Sequence, residues 1–337
     1  MARKDRIELI RQIEAHRGSK LICCLTSDRQ NAQGIIAKDF IPVFFNHLSG
    51  FQDCKKVDVF IFTAGGDTLA AFGLSRLLRE FTNSVGALVP EKCYSAGTLF
   101  VLGATEIFMA KAATLTPIDP SVSGPLNPVV EMVPGQRQPL PVSVESVAGY
   151  RMLVKEDWRL NDEATGVAFR ILAERINPLA LGDVYRSRQQ IERLARTLIH
   201  LHRNDDRNIQ VIVEKLTRGF GSHDYLISRT EARDLLGSQV SGDDPNLEKL
   251  IWALFQDFRV EMRLGQIFDP GMSVHAATVE GKKLALEEQK VVMVESVDAV
   301  DEFERVIQLS TVQTMTPAGP AQGIQAVVVR AGWKRYN

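Results

Sequence analysis

The sequence has few cysteines, no excess of charge of either sign and no long hydrophobic run. The four cysteines, at positions 23, 24, 54 and 93, lie mostly in apolar segments and lack metal-ligand spacing such as C-x-x-C. We therefore expect reduced thiols, no disulfide and no metal. Lys and Arg total 40 against 41 Asp and Glu, a net charge of −1, which argues against a nucleic-acid partner. No run of eighteen apolar residues occurs, so no membrane span is expected.

The amino-terminal segment MARKDRIELIRQIEAHRGSK has no apolar stretch after its basic residues, so it does not have the pattern of a secretory signal. It predicts a short surface helix, and we expect a cytoplasmic protein. A length of 337 residues allows two domains. The segment SGDDPN, which begins at Ser241, is typical of a linker. We therefore expect one domain over residues 1–240 and a small α+β domain of unknown role over residues 241–337.

Strand-like and helix-like segments alternate along the first 110 residues. Continuous apolar runs predict strands at Lys20–Leu25, Val57–Phe62, Val85–Val89 and Glu106–Ala110, and helical spacing predicts helices at Phe40–Leu48, Leu69–Phe81 and Ser95–Leu102. This order predicts an α/β fold with a parallel sheet and helices on its faces. Seven of the 14 prolines fall within residues 116–141, which predicts a long irregular loop. Further on, the spacing predicts helices at Leu247–Leu264 and Val297–Leu309 and strands at Val291–Glu295 and Gln325–Arg330.

Two turns are candidates for the active site. The first, Thr63-Ala64-Gly65-Gly66-Asp67, follows a predicted strand, and its two glycines would leave backbone N–H groups facing a ligand, as in an oxyanion hole. Taken by itself, this motif favours an ordinary strand-to-helix turn. The second, Tyr94-Ser95-Ala96-Gly97-Thr98, places a serine at a helix start, where it is either a nucleophile or a helix cap. On neighbouring parallel strands both turns would project from the same end of the sheet, which favours a nucleophile beside oxyanion donors.

Four motifs together resemble one family. They are TAGGDT at residues 63–68, YSAGT at 94–98, LTPIDPSV at 115–122 and SHDYLISRTEARDLLG at 222–237. In this order they resemble the serine dehydrogenase proteinase family of Clp-fold serine peptidases, within the Clp protease/crotonase superfamily. The resemblance implies the spiral Clp/crotonase fold and a serine peptidase with no cofactor.

The resemblance also implies the site residues. Ser95 matches the nucleophile, Asp119 the acid and His223 the base, and the backbone N–H groups of Gly66 and Ala96 match the oxyanion donors, with Gly65 shaping the turn. Serine needs a base to lose its proton, and a carboxylate fixes the tautomer of an imidazole. The alternative, purely structural interpretations are a loop cap for His223 and an Asx turn for Asp119.

The chain departs from its relatives at two places. Leu226 replaces the proline expected in the last motif, and no lysine lies near Ser143, where Ser-Lys relatives carry one; the nearest is Lys155. Two alternatives to a peptidase remain: a crotonase-like enzyme of CoA thioesters and a catalytically inactive assembly module. As partners we expect a peptide or polypeptide substrate, further copies of the chain, and an unidentified protein that contacts the domain 241–337.

Overall fold

Helices and strands alternate through the first 115 residues, as the sequence predicts. The computed structural model describes residues 3–51, 54–118, 121–122, 125–133, 136–140, 142–280, 282, 284–316 and 319–336. The elements up to residue 115 are α1 (Arg3–Arg17), β1 (Lys20–Thr26), α2 (Phe40–Ser49), β2 (Lys56–Phe62), α3 (Thr68–Phe81), β3 (Ser84–Val89), β4 (Lys92–Cys93), α4 (Ala96–Leu102), β5 (Glu106–Met109) and β6 (Thr114–Leu115).

Residues 116–227 contain short strands followed by four helices. They are β7 (Ser121–Val122), β8 (Val129–Val133), β9 (Gln136–Pro139), β10 (Val142–Ser143), α5 (Val144–Met152), α6 (Asp162–Arg175), α7 (Pro178–Ile199) and α8 (Asp206–Glu214), and π-helical turns extend α5 over Leu153–Asp157 and α8 over Lys215–Gly219. The expectation that residues 116–141 hold no regular structure is wrong, because β8 and β9 pair antiparallel. Pro128 precedes β8 and Pro139 ends β9, so neither interrupts the middle of a strand.

The carboxyl-terminal part begins with β11 (Ile227–Ser228) and ends in a long hairpin. Its elements are α9 (Arg229–Leu236), a 3₁₀ turn (Gly237–Gln239), β12 (Val240–Ser241), α10 (Pro245–Glu261), α11 (Pro270–Val279), β13 (Ala285–Glu295), β14 (Val300–Thr316) and β15 (Gly319–Tyr336).

The helix predicted over Val297–Leu309 is wrong, because this segment belongs to β14. Apolar side chains at Val297, Val300 and Phe303 imitate helical spacing. In the strand, carboxylates that the sequence places between them are buried and paired with cations on the neighbouring strands. Asp301 lies 3.0 Å from Arg335 and Glu302 lies 3.0 Å from Lys290.

The largest sheet in the described part of the chain has eight strands, in the order β12, β5, β3, β2, β1, β13, β14, β15. The strands from β12 to β1 run parallel. β13 then pairs antiparallel with β1, with Cys23 opposite Glu295, and β14 and β15 continue antiparallel. The predicted α/β class with a parallel sheet is confirmed. Among the residues described, no helix has both the length and the apolar character needed to cross a membrane.

The core beside β1 and β2 is built largely by α10. Leu247, Ile251, Leu254, Phe255 and Phe258 of this helix are all almost completely buried. The ring of Phe255 lies 5.0 Å from that of Phe62, and the ring of Phe258 lies 6.1 Å from that of Phe60. Full burial of each such side chain contributes roughly 1.5–3 kcal/mol. Helix α10 is therefore part of the same core as the amino-terminal strands.

The chain separates into two compact units. The first comprises residues 1–115 and 228–337, and the second comprises residues 116–227. These boundaries differ from the predicted division at residue 240. The two predicted domains stay a prediction.

Candidate active site

Ser95 lies between β4 and α4 in an unusual backbone conformation. Its φ is 51° and its ψ is −110°, and its side chain makes no capping hydrogen bond to α4. A residue other than glycine rarely adopts this backbone conformation, which costs of order 1–3 kcal/mol and occurs mainly at functional sites. The side chain is half-buried. The simple explanation of Ser95 as a helix cap is therefore not supported by its geometry.

The diglycine turn lies directly against the serine turn. Beyond the end of β2, the Thr63 N–H donates to the Lys92 carbonyl at 3.0 Å, and the Tyr94 N–H donates to the Thr63 carbonyl at 3.1 Å. A Cβ added to Gly65 would lie 3.0 Å from the Ser95 Cβ and 3.5 Å from the Ala96 nitrogen. The two turns predicted to project from one end of the sheet are thus adjacent.

Backbone N–H groups are available on both turns. Gly65 and Gly66 have φ values of 114° and 147°, which favour glycine. Within the described part of the chain, no backbone or side-chain acceptor binds the N–H of Gly66 or that of Ala96. These are the two groups that the family resemblance assigns to an oxyanion hole. Donors fixed in place before a negative charge develops stabilise that charge effectively.

Thr63 and Gly97 position these turns, a role that the sequence analysis did not assign. The buried Thr63 hydroxyl receives the Gly65 N–H at 3.0 Å and a hydrogen bond from the Thr26 hydroxyl at 2.8 Å. A Cβ added to Gly97 would lie 2.5 Å from the Thr63 Cγ2 and 2.9 Å from the Cys93 Sγ. Both residues stand inside the motifs TAGGDT and YSAGT, so the signal was present. Their contacts depend on pairing between distant segments.

Ile36 is a third positioning residue, and no local pattern marks it. Its N–H donates to the Gly65 carbonyl at 2.9 Å, and its carbonyl receives the Asp67 N–H at 2.8 Å. A Cβ added to Gly66 would lie 2.3 Å from the Ile36 carbonyl oxygen. The Asp67 side chain caps α3 by accepting from the Leu69 N–H at 2.8 Å. The diglycine turn is therefore held on both sides.

Neither of the other two predicted triad members is a described residue of the unit that contains Ser95. Asp119 lies outside the described residues. His223 lies in an exposed loop before β11 and belongs to the second unit, whereas Ser95 belongs to the first. In this loop the Asp224 N–H donates to the Ser222 hydroxyl, and the rings of Phe220 and Tyr225 stack at 4.8 Å. The Ser-Asp-His triad stays a prediction.

Lys155 is more exposed than a buried catalytic lysine would be. It lies in the π-helical turn after α5, where its ammonium group contacts the Asp162 carboxylate at 2.8 Å. It also lines an apolar cavity of about 580 Å³ within the second unit. Ser143, near which Ser-Lys relatives carry their lysine, caps α5 by accepting from the Ser146 N–H at 3.2 Å.

The thiols near the site are not reactive groups. Cys23, Cys24 and Cys93 are buried, Cys54 is partly buried, and no disulfide joins these four residues. Burial raises the pKa of Cys24 to about 12 and raises the pKa of Cys93 above its ordinary value. A thiolate is the nucleophilic form of cysteine, so Cys93 does not compete with Ser95. Among the residues described, no group of three or more His, Cys, Asp or Glu side chains is arranged to hold a metal ion.

The segment that contains both turns matches a known protein family. Residues 1–143 match the family model of ClpP-like SDH-type serine proteinases. This match confirms the predicted resemblance to the serine dehydrogenase proteinase family over the motifs TAGGDT, YSAGT and LTPIDPSV. The motif that contains His223 lies beyond the matched segment.

The individual proteins that match this chain have low sequence identity to it. Two uncharacterised proteins of Methanocaldococcus jannaschii are 26% and 24% identical, over 71% and 77% of this chain and 73% and 80% of their own lengths. Among solved structures, a serine-to-alanine mutant of a membrane-bound stomatin-specific protease matches at a TM-score of 0.39 and 14% identity, over 63% of this chain and 77% of that one. A mutant of ClpP1 from Listeria monocytogenes matches at a TM-score of 0.37 and 12% identity, over 74% of this chain and 99% of that one.

Proposed function

We propose that this chain is a serine peptidase whose nucleophile is the Ser95 hydroxyl. The observation that supports this most is the conformation of Ser95, with φ 51° and ψ −110°, on a turn between a strand and a helix. A sharp, strained strand-to-helix turn presents a nucleophilic serine in other hydrolase folds as well. The family match over residues 1–143 supports the same reaction class.

In the proposed reaction the Ser95 oxygen attacks the carbonyl carbon of a peptide bond. The carbonyl oxygen becomes negative and accepts hydrogen bonds from the N–H groups of Gly66 and Ala96, which no described residue engages. The amine leaves and an acyl-enzyme on Ser95 remains. Attack by water then releases the second product and restores the serine.

Proton transfer requires a base, and we assign this role to His223 with Asp119 as the residue that orients it. His223 takes the serine proton and gives it to the leaving amine, while a carboxylate selects the tautomer and stabilises the imidazolium. This assignment rests on the family resemblance of the motifs PIDP and SHDY. Lys155 is the weaker candidate, because its side chain is 42% exposed and its ammonium group is already paired with the Asp162 carboxylate at 2.8 Å.

The test is covalent labelling of Ser95 by a fluorophosphonate probe, read by peptide mapping. We expect the wild-type chain to be labelled at Ser95 and Ser95→Ala to lose labelling and hydrolysis while it stays folded. Ser143→Ala is the matched control, because Ser143 caps a helix; it should cost about 1 kcal/mol of stability and leave labelling unchanged. Peptide hydrolysis retained in Ser95→Ala would refute the proposal. Tight binding of coenzyme A without labelling would instead favour the crotonase-like alternative.

A second pair of variants separates the candidate bases. His223→Ala should lower kcat by at least about 10³-fold, since loss of a triad member has effects of this order, whereas Lys155→Ala should change it little. Asp119→Asn should cost a comparable or smaller factor. A near-normal His223→Ala enzyme beside an inactive Lys155→Ala enzyme would replace the triad with a Ser-Lys dyad.

A further inference from the structure

A small cavity in the first unit lies apart from the turns that carry Ser95. Its volume is about 210 Å³. It is lined by Arg29 from the loop after β1, by the end of α10 and the following Arg263, and by Gln289 and Lys290 of β13. Pockets for drug-sized molecules have volumes of about 300–1,000 Å³, so this cavity suits a smaller ligand.

The carboxylates that line the cavity already have cationic partners. Glu261 contacts the Lys290 ammonium, and Glu304 contacts the Lys334 ammonium. Glu288 lies 3.6 Å from the Arg330 guanidinium. The cations that contact these carboxylates are thus Lys290, Lys334 and Arg330.

Two arginines of the cavity have no such partner. Within the described part of the chain, no carboxylate lies within 4.0 Å of the guanidinium of Arg29 or Arg263. The Arg29 guanidinium donates to the Gln266 carbonyl at 3.3 Å and lies 6.0 Å from the centroid of the Phe268 ring, and the residue is 8% exposed. Burial and the positive charge of Arg263 lower the pKa of Arg29, and the charge of Glu287 offsets this only in part. The two positive charges therefore repel each other.

Gln289 supplies a third, unsatisfied donor. The side chain is 2% exposed, and its Oε1 accepts two hydrogen bonds from Arg305, at 3.1 and 2.8 Å. Because an arginine only donates, the amide oxygen must face Arg305 and the amide nitrogen must face the other way. Among the residues described, nothing accepts the N–H groups of that buried nitrogen. Buried donors without an acceptor are rare and usually indicate a missing partner.

We propose that this cavity binds a small tetrahedral oxyanion, of the phosphate or sulfate kind, between Arg29 and Arg263. The Gln289 Nε2 is the third donor. Guanidinium groups bind such oxyanions through two N–H groups at once, and an oxyanion offers enough acceptors for donors that approach from different sides. The bound ion separates the two positive charges and supplies the acceptor that Gln289 lacks. The same chemistry serves a free ion and the phosphate group of a larger molecule.

The test is isothermal titration of the full chain with orthophosphate and, separately, with phenyl phosphate, at an ionic strength held constant with sodium chloride. We expect saturable binding that Arg29→Gln weakens at least about tenfold, the effect of losing a charge-assisted hydrogen-bonding partner. Arg76→Gln is the matched control, because Arg76 is exposed on α3 and its loss removes the same charge. Binding of both compounds through Arg29 identifies a site for phosphate groups, and binding of orthophosphate alone identifies a site for the free ion.

Arg263→Gln keeps the test decisive if Arg29→Gln does not fold, because Arg263 is exposed and not part of the core. In buffer without the anion, Arg29→Gln should be as stable as wild type or more stable, since it relieves repulsion between like charges. In phosphate buffer the wild type should gain thermal stability that the variant does not. Absence of binding by either compound, or equal affinity in wild type and both variants, would overturn the proposal.

Discussion

Individual glycines decide the geometry around Ser95, and each does so through a specific close contact. Gly65 leaves room for Ser95, Gly66 for Ile36, and Gly97 for Thr63. Only the first two also need a positive φ. The third can therefore be replaced by alanine without backbone strain, which makes it a clean probe of packing.

Gly97→Ala should destabilise the chain by about 1–3 kcal/mol, because the added methyl group overlaps Thr63 and Cys93. The displacement of α4 should also reduce the rate at which a fluorophosphonate labels Ser95. Urea unfolding and labelling kinetics measure the two effects. Gly149→Ala is the control, because this glycine lies in α5 with nothing within 4 Å, and it should be neutral or stabilising. Equal behaviour of the two variants would contradict the packing argument.

Among the elements, α1 is fixed by ion pairs at both ends, which are buried near its start and partly buried at its end. Near its start, Arg6 lies 2.7 Å from Asp257 of α10 and 2.6 Å from Glu295 of β13, and all three side chains are almost fully buried. At its end, Arg17 contacts Asp58 of β2 and Glu106 of β5, each at 2.8 Å. The sequence predicts a short surface helix here, and α1 is that helix; its buried face, with Ile10 and Ile13, packs on the core.

Arg6→Ala should lower the free energy of unfolding by about 3–5 kcal/mol, because two carboxylates are then buried without their partner. Chemical denaturation measures this loss. Arg3→Ala provides the comparison, since Arg3 pairs with the same Glu295 at 3.3 Å but is 28% exposed; its loss should cost less than about 1 kcal/mol. A small effect of Arg6→Ala would show that the buried carboxylates find other partners or take up protons.

The pair of Arg17 and Glu106 should produce a dependence of stability on pH. The hydrogen bonds from Arg17 lower the pKa of Glu106 to about 2, against an ordinary value of 4.5. The unfolded chain then binds a proton before the folded chain does. The stabilisation is therefore present above pH 4.5 and is lost as the pH falls from 4.5 toward 2. Since the Glu106 side chain is 33% exposed, we expect about 1–2 kcal/mol after solvent screening.

Urea unfolding at a series of pH values between neutrality and pH 3.5 measures this contribution. Glu106→Gln should be less stable than wild type at neutral pH and should lose less stability on acidification. Glu80→Gln, at an exposed position of α3, should follow the wild-type curve. Parallel curves for wild type and Glu106→Gln would contradict the role given to this ion pair.

At the scale of the whole molecule, the segment after residue 240 completes the sheet and core of the first unit. β13 pairs with β1, and the apolar face of α10 packs on side chains of β1 and β2. We therefore expect a fragment of residues 1–240 to lose its cooperative thermal transition, because β1 loses a neighbouring strand and its core becomes exposed. Calorimetry of the fragment measures this. A cooperative transition near the wild-type Tm would support the domain boundary predicted from the sequence.

Assembly belongs to the same scale. The expected homo-oligomer and a protein partner for residues 241–337 stay predictions. Helices α6 and α7 expose large apolar side chains, among them Phe169, Leu179 and Tyr185. Such side chains are a common feature of protein interfaces.

The sequence by itself determined the features that depend on neighbouring residues. Continuous apolar runs predicted β1, β2, β3 and β5, and their alternation with helices predicted the parallel sheet. The motifs TAGGDT and YSAGT predicted adjacent turns and a family resemblance, which the match over residues 1–143 confirms. These predictions succeeded because strand propensity, turn geometry and sheet direction are set by short stretches of chain.

Only the tertiary structure decided what depends on distant partners. The segment 300–309 has the apolar spacing of a helix, yet it forms a strand because Lys290 and Arg335 on adjacent strands neutralise its carboxylates. Ile36 holds the diglycine turn from about 30 residues away, and Arg29 and Arg263, more than 200 residues apart, line one cavity. No pattern along the chain records such pairs, because pairing energy between distant residues exists only after the fold brings them together.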